Sequence, residues 1–220
     1  MSQNKTYKVL GLFVGQPKTL SNQQVSAIQK TSVERLQIKK HELPGDQPAD
    51  TKHHGGDMRV IHHYSQVNYN HLKATFPDIA DRFKPGTFGE NLYTEELTEA
   101  DLCIGDIYTL GTAKVQLTVA RRPCATLNQT YDHEGILQEV IDSGHVGWFY
   151  RVLEEGEVKI GDSLTFLERP HPELRVSALF QQGYNNGEKF TDRAFLQACY
   201  ETGLMDKGWK PKLDKLFHPK

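Results

Sequence analysis

Apolar and polar residues alternate in several segments of the chain, which is the pattern of half-buried β-strands. The clearest segment is 114–119, where the alternation coincides with β-branched residues and predicts a strand. Segment 33–40 also alternates, and segments 7–15 and 147–153 are more continuously apolar, so each predicts a further strand. The predicted strands lie near the start of the chain and around its middle, so the chain up to the last of them is predicted to be mainly β.

Helical patterns are fewer and stand between or after the strands. Ser65 can cap a helix that follows it, and apolar residues at helical spacing over 136–141 predict another. Near the end of the chain, Thr191 or Asp192 can cap a third helix, and Pro211 can begin a fourth. The last two of these helices follow the last predicted strand, so the end of the sequence is predicted to be mainly α.

The tripeptide Ile-Gly-Asp occurs at 104–106 and at 160–162, and each copy predicts a tight turn into a strand. Turns of this kind between short strands suit a meandering β-barrel. The prolines in segment 170–172 break the pattern, so we expect a mainly β barrel domain over 1–169 and a small helical subdomain over 170–220. The helical part is too short to bury a core alone and should pack against the barrel or a partner.

Composition and charge narrow the class of protein. The chain has 220 residues and a formal net charge of -2, so it has no global field for nucleic acid or an anionic membrane. No segment approaches the roughly 20 apolar residues of a membrane span, and the N-terminus lacks the apolar run of a signal peptide. Three widely spaced cysteines without a C-x-x-C pair argue against a disulfide framework and favour a reducing, cytoplasmic location.

The first candidate site is Cys124, at the end of the predicted strand 114–119. Pro123 cannot donate a hydrogen bond, so strand pairing should stop there and leave the cysteine at a strand end. Arg121 and Arg122 come just before it, and nearby positive charge favours the thiolate that attacks electrophiles or binds metal. Taken alone, a free cysteine is more often a small buried hydrophobic residue.

The second candidate site is the glycine-bearing loop 53–59. Adjacent Gly55 and Gly56 allow successive backbone N–H groups to face one point, where an anion such as phosphate can bind. His54 and Arg59 add further donors and positive charge. The alternative is a surface turn with solvated histidines, and a zinc site is a weaker interpretation because adjacent histidines are poorly placed to share one metal.

Two other polar features follow along the chain. In loop 86–92, Asn91 offers both a donor and an acceptor, which suits the edge of a heterocycle, although a capped turn is the favoured interpretation of this loop taken alone. Segment 60–63 is also extended and apolar and predicts a strand, so one of His62 and His63 faces inward and is expected to be a hydrogen-bonded core histidine.

Several short motifs follow one another along the chain: Leu43-Pro44-Gly45-Asp46, His54-Gly55-Gly56, Arg59, His63-Tyr64, Gly86-Thr87-Phe88-Gly89-Glu90-Asn91-Leu92, Ile104-Gly105-Asp106, Arg121-x-Pro123-Cys124 and Gly147-Trp148 to Gly161-Asp162. Taken together and in this order, they resemble the MOSC domain, named for the molybdenum cofactor sulfurase C-terminal region, and within it the stand-alone bacterial YiiM type. The resemblance covers nearly the whole chain, and the tail after Pro172 is similar to the three-helix appendage of that subfamily. One departure is Arg122, where the pattern has a small residue.

The resemblance implies a β-barrel that holds the molybdenum cofactor, a pyranopterin dithiolene, with the thiolate of Cys124 as the protein ligand to the metal. It implies the reduction of N-hydroxylated compounds, such as hydroxylaminopurines, to amines, which detoxifies base analogues. Electrons would come from a separate flavin or iron–sulfur reductase. The implied cofactor-binding residues are His54, Gly55, Gly56, Arg59, Glu90, Asn91, Arg121 and Arg122.

Two alternatives remain open at this stage. The same residues would serve a non-catalytic carrier of molybdenum cofactor, or of sulfur as a persulfide on Cys124. A thiol-dependent hydrolase would need no metal, but no histidine in the sequence is marked as its base. The sequence also leaves open whether the chain forms a homodimer, and whether His54 or His63 supplies a proton.

Overall fold

The computed structural model describes residues 5–19, 23, 25–52, 54–184 and 190–218. The fold is mainly β with helices. The strands are β1 Thr6–Val14, β2 Lys18–Thr19, β3 Val25–Ser26, β4 Thr31–Val33, β5 Arg35–Ile38, β6 Ile61–Ser65, β7 Leu92–Thr94, β8 Ile107–Leu110, β9 Ala113–Ala120, β10 Trp148–Glu154, β11 Gly156–Lys159 and β12 Ser163–Glu168. The α-helices are α1 Gln66–Thr75, α2 Thr126–Tyr131, α3 Ile136–Ser143, α4 Val176–Tyr184, α5 Arg193–Glu201 and α6 Lys210–Phe217.

Seven of these strands form a closed barrel. Hydrogen bonding runs in the order β12-β8-β9-β10-β6-β7-β1, and β1 pairs again with β12, so the sheet has no open edge. All neighbours are antiparallel except β6 and β7, which run parallel with α1 in the connection between them. The predicted barrel class is therefore confirmed, with β4 added to β1 outside the closed ring.

The barrel core contains a hydrogen-bonded histidine, as predicted for one of the two adjacent histidines. The ring of His63 is fully buried, with one nitrogen 2.8 Å from the Thr94 hydroxyl and the other 3.2 Å from the Tyr150 hydroxyl. Trp148 donates its indole N–H to the same Tyr150 oxygen at 2.8 Å. Burial lowers the pKa of His63 to about 3, so this network is built around a neutral imidazole.

Local signals in the sequence account for several element boundaries. Ser65 caps α1 by accepting a hydrogen bond from the backbone N–H of Asn68, as predicted. Gly105 and Gly161, the glycines of the two Ile-Gly-Asp turns, have φ angles of 89° and 92°, and each turn leads into a barrel strand. Asp192 is the residue that caps α5, by accepting from the N–H of Phe195.

The single strand predicted over 33–40 is wrong in its extent. The structure has two short strands there, because the chain changes partner at Glu34. β4 pairs with β1, whereas β5 pairs with β11 in a separate two-stranded sheet. The alternation itself was informative, since Leu36 and Ile38 are both buried on one face of β5.

The first helix after the last barrel strand packs on the barrel, and the last two helices pack on each other. α4 lies against β9, and one apolar residue from each C-terminal helix (Leu179, Leu196 and Leu213) is fully buried. All three cysteines are free thiols, in agreement with the absence of a disulfide framework. Within the described residues, no helix has the length and hydrophobicity needed to cross a lipid bilayer.

Candidate functional site

Most of the residues singled out in the sequence line one cavity of about 810 Å³. They come from separate segments of the chain: the loop before β6, the loop before β7, and the segment after β9. Pro123, Phe88 and Phe149 complete the wall near them. The predicted residues on the wall are His54, Gly55, Gly56, Arg59, Asn91, Arg121, Arg122 and Cys124.

Cys124 reaches the cavity because pairing of β9 ends where the sequence indicates. The last paired residue is Ala120, and the N–H of Arg121 makes one more bond to the carbonyl of Gly147 at 2.8 Å. Pro123 then turns the chain, and the carbonyl of Cys124 accepts from Leu127 in the first turn of α2. Cys124 is partly buried and lines the cavity, so a ligand in the cavity can reach this residue.

Arg121 supplies a buried cation to the same wall. The residue is only 9% exposed, and its guanidinium lies over the ring of Phe88 at 4.5 Å. Its Nη1 atom has no hydrogen-bond partner among the described residues. Buried charged donors are almost always paired, so this nitrogen points to a partner that is not part of the protein.

His62 is a second buried group with an unsatisfied atom, and the sequence did not single it out as a site residue. It lines the cavity, is 4% exposed, and its Nε2 has no hydrogen-bond partner within the described part of the chain. Burial, followed by the charge of Arg121, holds the pKa of His62 well below its usual range. The wall thus presents a neutral imidazole beside a guanidinium.

The glycine-bearing loop lies near these cations. Gly55 and Gly56 have φ angles of 71° and 98°, a backbone conformation that other residues rarely adopt. Burial lowers the pKa of the neighbouring His54, and the charges of Arg121 and Arg59 lower it further. An anion bound here would be attracted by the same charges and would raise the pKa of His54. His53, in the same loop, lies outside the described residues.

Glu90 is the one predicted site residue that the structure does not bring to the cavity wall. Its carboxylate is fully buried and accepts hydrogen bonds from the N–H groups of Gly86 at 2.5 Å and Phe88 at 3.2 Å. The hydroxyl of Tyr69 donates to it at 2.8 Å. Glu90 therefore holds the 86–90 loop closed from behind, and burial raises its pKa.

Asn91 lies on the wall, but its side chain is engaged with the backbone of two barrel strands. Its Oδ1 accepts from the N–H of His62 at 3.0 Å, and its Nδ2 donates to the carbonyl of Phe13 at 3.2 Å. An amide nitrogen has a second proton, so one donor remains beyond these two contacts. The structure gives Asn91 a fixed position from which that donor can act.

Three further lysines that the sequence analysis did not single out line the wall: Lys30, Lys52 and Lys207. Lys30 pairs with both carboxylate oxygens of Asp46 at 2.7 Å, and burial lowers its pKa. Lys207, from the segment between α5 and α6, donates to the carbonyls of Thr51 and His54. Only the Leu-Pro-Gly-Asp turn that contains Asp46 was a sequence signal; Lys207 is too distant in sequence from the other residues to be marked by any motif.

The donor set determines what the cavity can bind. Arg59, Arg121, Arg122 and Lys207 place positive charge around it, which suits an anionic group. In the described chain, no group of three or more His, Cys, Asp or Glu is placed to hold a metal ion. A metal bound to Cys124 would therefore need ligands from a cofactor, and a thiolate suits a soft, sulfur-bound metal.

Comparisons with known proteins agree with this architecture. The family model described as "MOSC domain" matches residues 50–165. Protein YiiM of Escherichia coli (strain K12) is 35% identical over 159 residues, covering 72% of this chain and 71% of that protein. A protein named "Reductase" from Gibberella moniliformis is 37% identical over 133 residues, which cover 60% of this chain and 24% of that protein. The crystal structure of YiiM from Geobacillus stearothermophilus has a TM-score of 0.77 and 26% identity, over 95% of this chain and 98% of that chain.

Proposed function

The chain belongs to the MOSC domain family, and from this premise we propose that it is a molybdenum cofactor-dependent oxidoreductase that reduces N-hydroxylated compounds, such as hydroxylaminopurines, to amines. The observation that carries the proposal is the free thiol of Cys124 on the wall of a large, cation-lined cavity. The name of the fungal relative, "Reductase", supports the oxidoreductase class.

The residues on the wall fit the proposed cofactor. Its phosphate is an anion, and Arg59, Arg122 and Lys207 provide positive charge for it. Its pterin is a flat heterocycle with donors and acceptors, and the unsatisfied Nη1 of Arg121 and Nε2 of His62 can meet such groups. Cys124 would supply the thiolate ligand to molybdenum.

The proposed reaction is R–NHOH + 2 e⁻ + 2 H⁺ → R–NH₂ + H₂O, so the site must deliver two protons. The bound cofactor would supply the two-electron chemistry. Of the two histidines considered as proton donors, His54 lies on the cavity wall, whereas both ring nitrogens of His63 are hydrogen-bonded inside the barrel. We therefore assign the proton-holding role to the His54 imidazole, whose pKa would rise when an anionic cofactor offsets the surrounding cations.

Electrons must reach the site from another protein in this proposal. Only three cysteines are present, and they are free and far apart in sequence, so the chain has no four-cysteine set for an iron–sulfur cluster. A separate flavin or iron–sulfur reductase is the donor that this implies. An artificial donor can replace it in an assay.

The test is the reduction of 6-hydroxylaminopurine with reduced methyl viologen, using protein purified from cells that make the cofactor. We expect turnover by the wild type and a loss of at least about 100-fold in Cys124→Ser, because removing a metal ligand exceeds the effect of removing its outer-shell partners. Cys103→Ser is the matched control, since Cys103 is a buried thiol that donates to the Pro172 carbonyl, and serine can do the same.

Equal turnover in Cys124→Ser and the wild type would contradict the proposal. A wild type that carries molybdenum, shows no turnover and releases the cofactor to an apo-enzyme would favour the carrier instead.

A further inference from the structure

The segment that joins α5 to α6 reaches the cavity, although it belongs to the helical appendage. Lys207 and Gly208 lie on the cavity wall. We call residues Asp206, Lys207 and Gly208 the 206–208 corner. It lies after the end of α5 at Glu201 and before the start of α6 at Lys210.

Each residue of the corner contacts a different part of the cavity wall. Asp206 Oδ2 accepts from Arg59 Nε at 2.5 Å, and both side chains are almost completely buried. The carbonyl of Gly208 accepts from Arg122 Nη1 at 3.2 Å. Lys207 Nζ donates to the carbonyls of Thr51 and His54, at 2.7 and 2.6 Å.

The two oxygens of the Asp206 carboxylate have different tasks. Oδ1 accepts from the N–H groups of Gly208 and Trp209 and so holds the turn that enters α6. Oδ2 binds Arg59, a cation of the cavity wall. A Cβ on Gly208 would lie 2.6 Å from Arg59 Nη2, so a larger residue at this position would force the guanidinium to shift. The corner is thus shaped around Arg59.

Lys207 has a donor left for a ligand. An ammonium group carries three protons, and the two carbonyls use two of them. The carbonyls belong to the loop that contains the Gly55–Gly56 pair, so Lys207 is fixed beside the backbone that was predicted to bind an anion. A positive charge held in this position adds to that of Arg122, whereas Asp206 offsets the charge of Arg59.

We propose that the 206–208 corner is a functional part of the ligand site: Asp206 is a positioning residue for Arg59, and Lys207 binds the phosphate end of an anionic ligand. The identity of that ligand, a phosphate-bearing pterin, rests on the proposed function. The helical appendage therefore completes the site that the barrel begins, and a barrel domain without it would lack one cation and the partner of another.

Three single variants of the full chain separate these roles. Lys207→Gln removes the charge, and Lys210→Gln is its matched control, because Lys210 is an exposed lysine three residues later that does not line the cavity. Asp206→Asn keeps an oxygen for the turn and removes the charge that faces Arg59. Thermal melting of each variant identifies the temperature range in which it is folded.

The first readout is molybdenum and pterin per folded chain, with the rate at which the pterin is released. We expect Lys207→Gln to release it about tenfold faster than the wild type, which corresponds to the loss of one charge-assisted hydrogen bond. Lys210→Gln should match the wild type. If the wild type carries the cofactor, and the wild type, Lys207→Gln and Lys210→Gln all release the pterin at the same rate, the inference is overturned. The proposed function is then left in place.

The second readout is the affinity of the cofactor-free protein for inorganic pyrophosphate, measured by calorimetry at two salt concentrations. It is independent of the proposed function, so it applies even when the wild type carries no molybdenum. We expect affinity about tenfold weaker in Lys207→Gln and unchanged in Lys210→Gln. Equal pyrophosphate affinity in the wild type, Lys207→Gln and Lys210→Gln would overturn the inference, and so would a wild type that does not bind pyrophosphate.

A double-mutant cycle tests the positioning role of Asp206. If Asp206 acts through Arg59, Asp206→Asn should weaken pyrophosphate binding in the wild type and change it no further in an Arg59→Gln background. A merely structural role would give the same loss in both backgrounds, and that result would remove Asp206 from the proposal.

Discussion

Glu90 offers a sharp test of how the structure assigns roles, because the family resemblance implied that it binds the cofactor, whereas its carboxylate is buried behind the cavity wall. This carboxylate accepts three hydrogen bonds, from Gly86 N–H, Phe88 N–H and the Tyr69 hydroxyl. Replacing Glu90 should therefore change the stability of the protein before it changes the binding of any ligand.

The expected magnitudes follow from these contacts. Glu90→Ala removes all three, and each hydrogen bond to a charged group contributes about 1.5–3 kcal/mol, so the variant should lose about 5 kcal/mol of unfolding free energy. That is a large fraction of the roughly 5–15 kcal/mol typical of a domain. Glu90→Gln can keep the oxygen that faces Gly86 and Tyr69 and should lose only about 1–3 kcal/mol.

The raised pKa of Glu90 also predicts how the unfolding free energy depends on pH. Burial raises the pKa of Glu90, so the folded state holds its proton more tightly than the unfolded state does. The contribution of Glu90 to the unfolding free energy should therefore fall as the pH rises from the ordinary pKa of a glutamate through the raised value. The difference in unfolding free energy between the wild type and Glu90→Gln should become smaller over the same pH range.

Urea unfolding at several pH values measures these differences, and molybdenum and pterin per folded chain is measured on the same samples. We predict that the unfolding free energy is highest in the wild type, lower in Glu90→Gln and lowest in Glu90→Ala. Folded Glu90→Gln should have a normal cofactor content. A Gln variant with wild-type stability that has lost its pterin would refute the reasoning and return Glu90 to the ligand site.

Two further predictions concern the barrel core and the segment between α3 and β10. Burial lowers the pKa of His63 to about 3, so below pH 6.5 the histidine is protonated in the unfolded state while it stays neutral in the folded state. Urea unfolding should therefore show that the unfolding free energy falls by about 3 kcal/mol between pH 6.5 and 4, and this fall should be absent in His63→Gln. Gly144→Ala should cost about 1 kcal/mol in the same assay, because its φ is 73° but a Cβ there would meet nothing within 4 Å. Gly147→Ala should cost several times more, since a Cβ would lie 2.7 Å from both His62 Nε2 and the His63 carbonyl; equal costs would contradict the packing described here.

Much of the fold could be predicted from local patterns. Alternation and β-branching marked β9, the Ser65 cap marked the start of α1, and the glycines of the Ile-Gly-Asp turns marked two strand entries. Such features are visible because their physical cause lies within a few residues of sequence. The break at Glu34 was missed for the opposite reason: it is caused by the choice of strand partner, and both halves of 33–40 favour extended backbone.

The site was predictable to a similar extent. Glycine pairs and the Arg-x-Pro-Cys segment identified loops that do meet at one cavity. The direction of a side chain within a glycine-rich loop has no period, so the sequence could not separate Glu90, which turns inward, from Asn91, which lies on the wall. Asp206 and Lys207 were missed because only the packing of the appendage brings them to Arg59 and His54.

The most direct test of the central claim is the molybdenum and pterin content per chain, measured on wild type and Cys124→Ser purified from cells that make the cofactor. The account predicts close to one molybdenum and one pterin per chain in the wild type, and loss of the metal from the variant, because Cys124 is the thiol on the cavity wall. No molybdenum in the wild type, or equal molybdenum in both proteins, would contradict it.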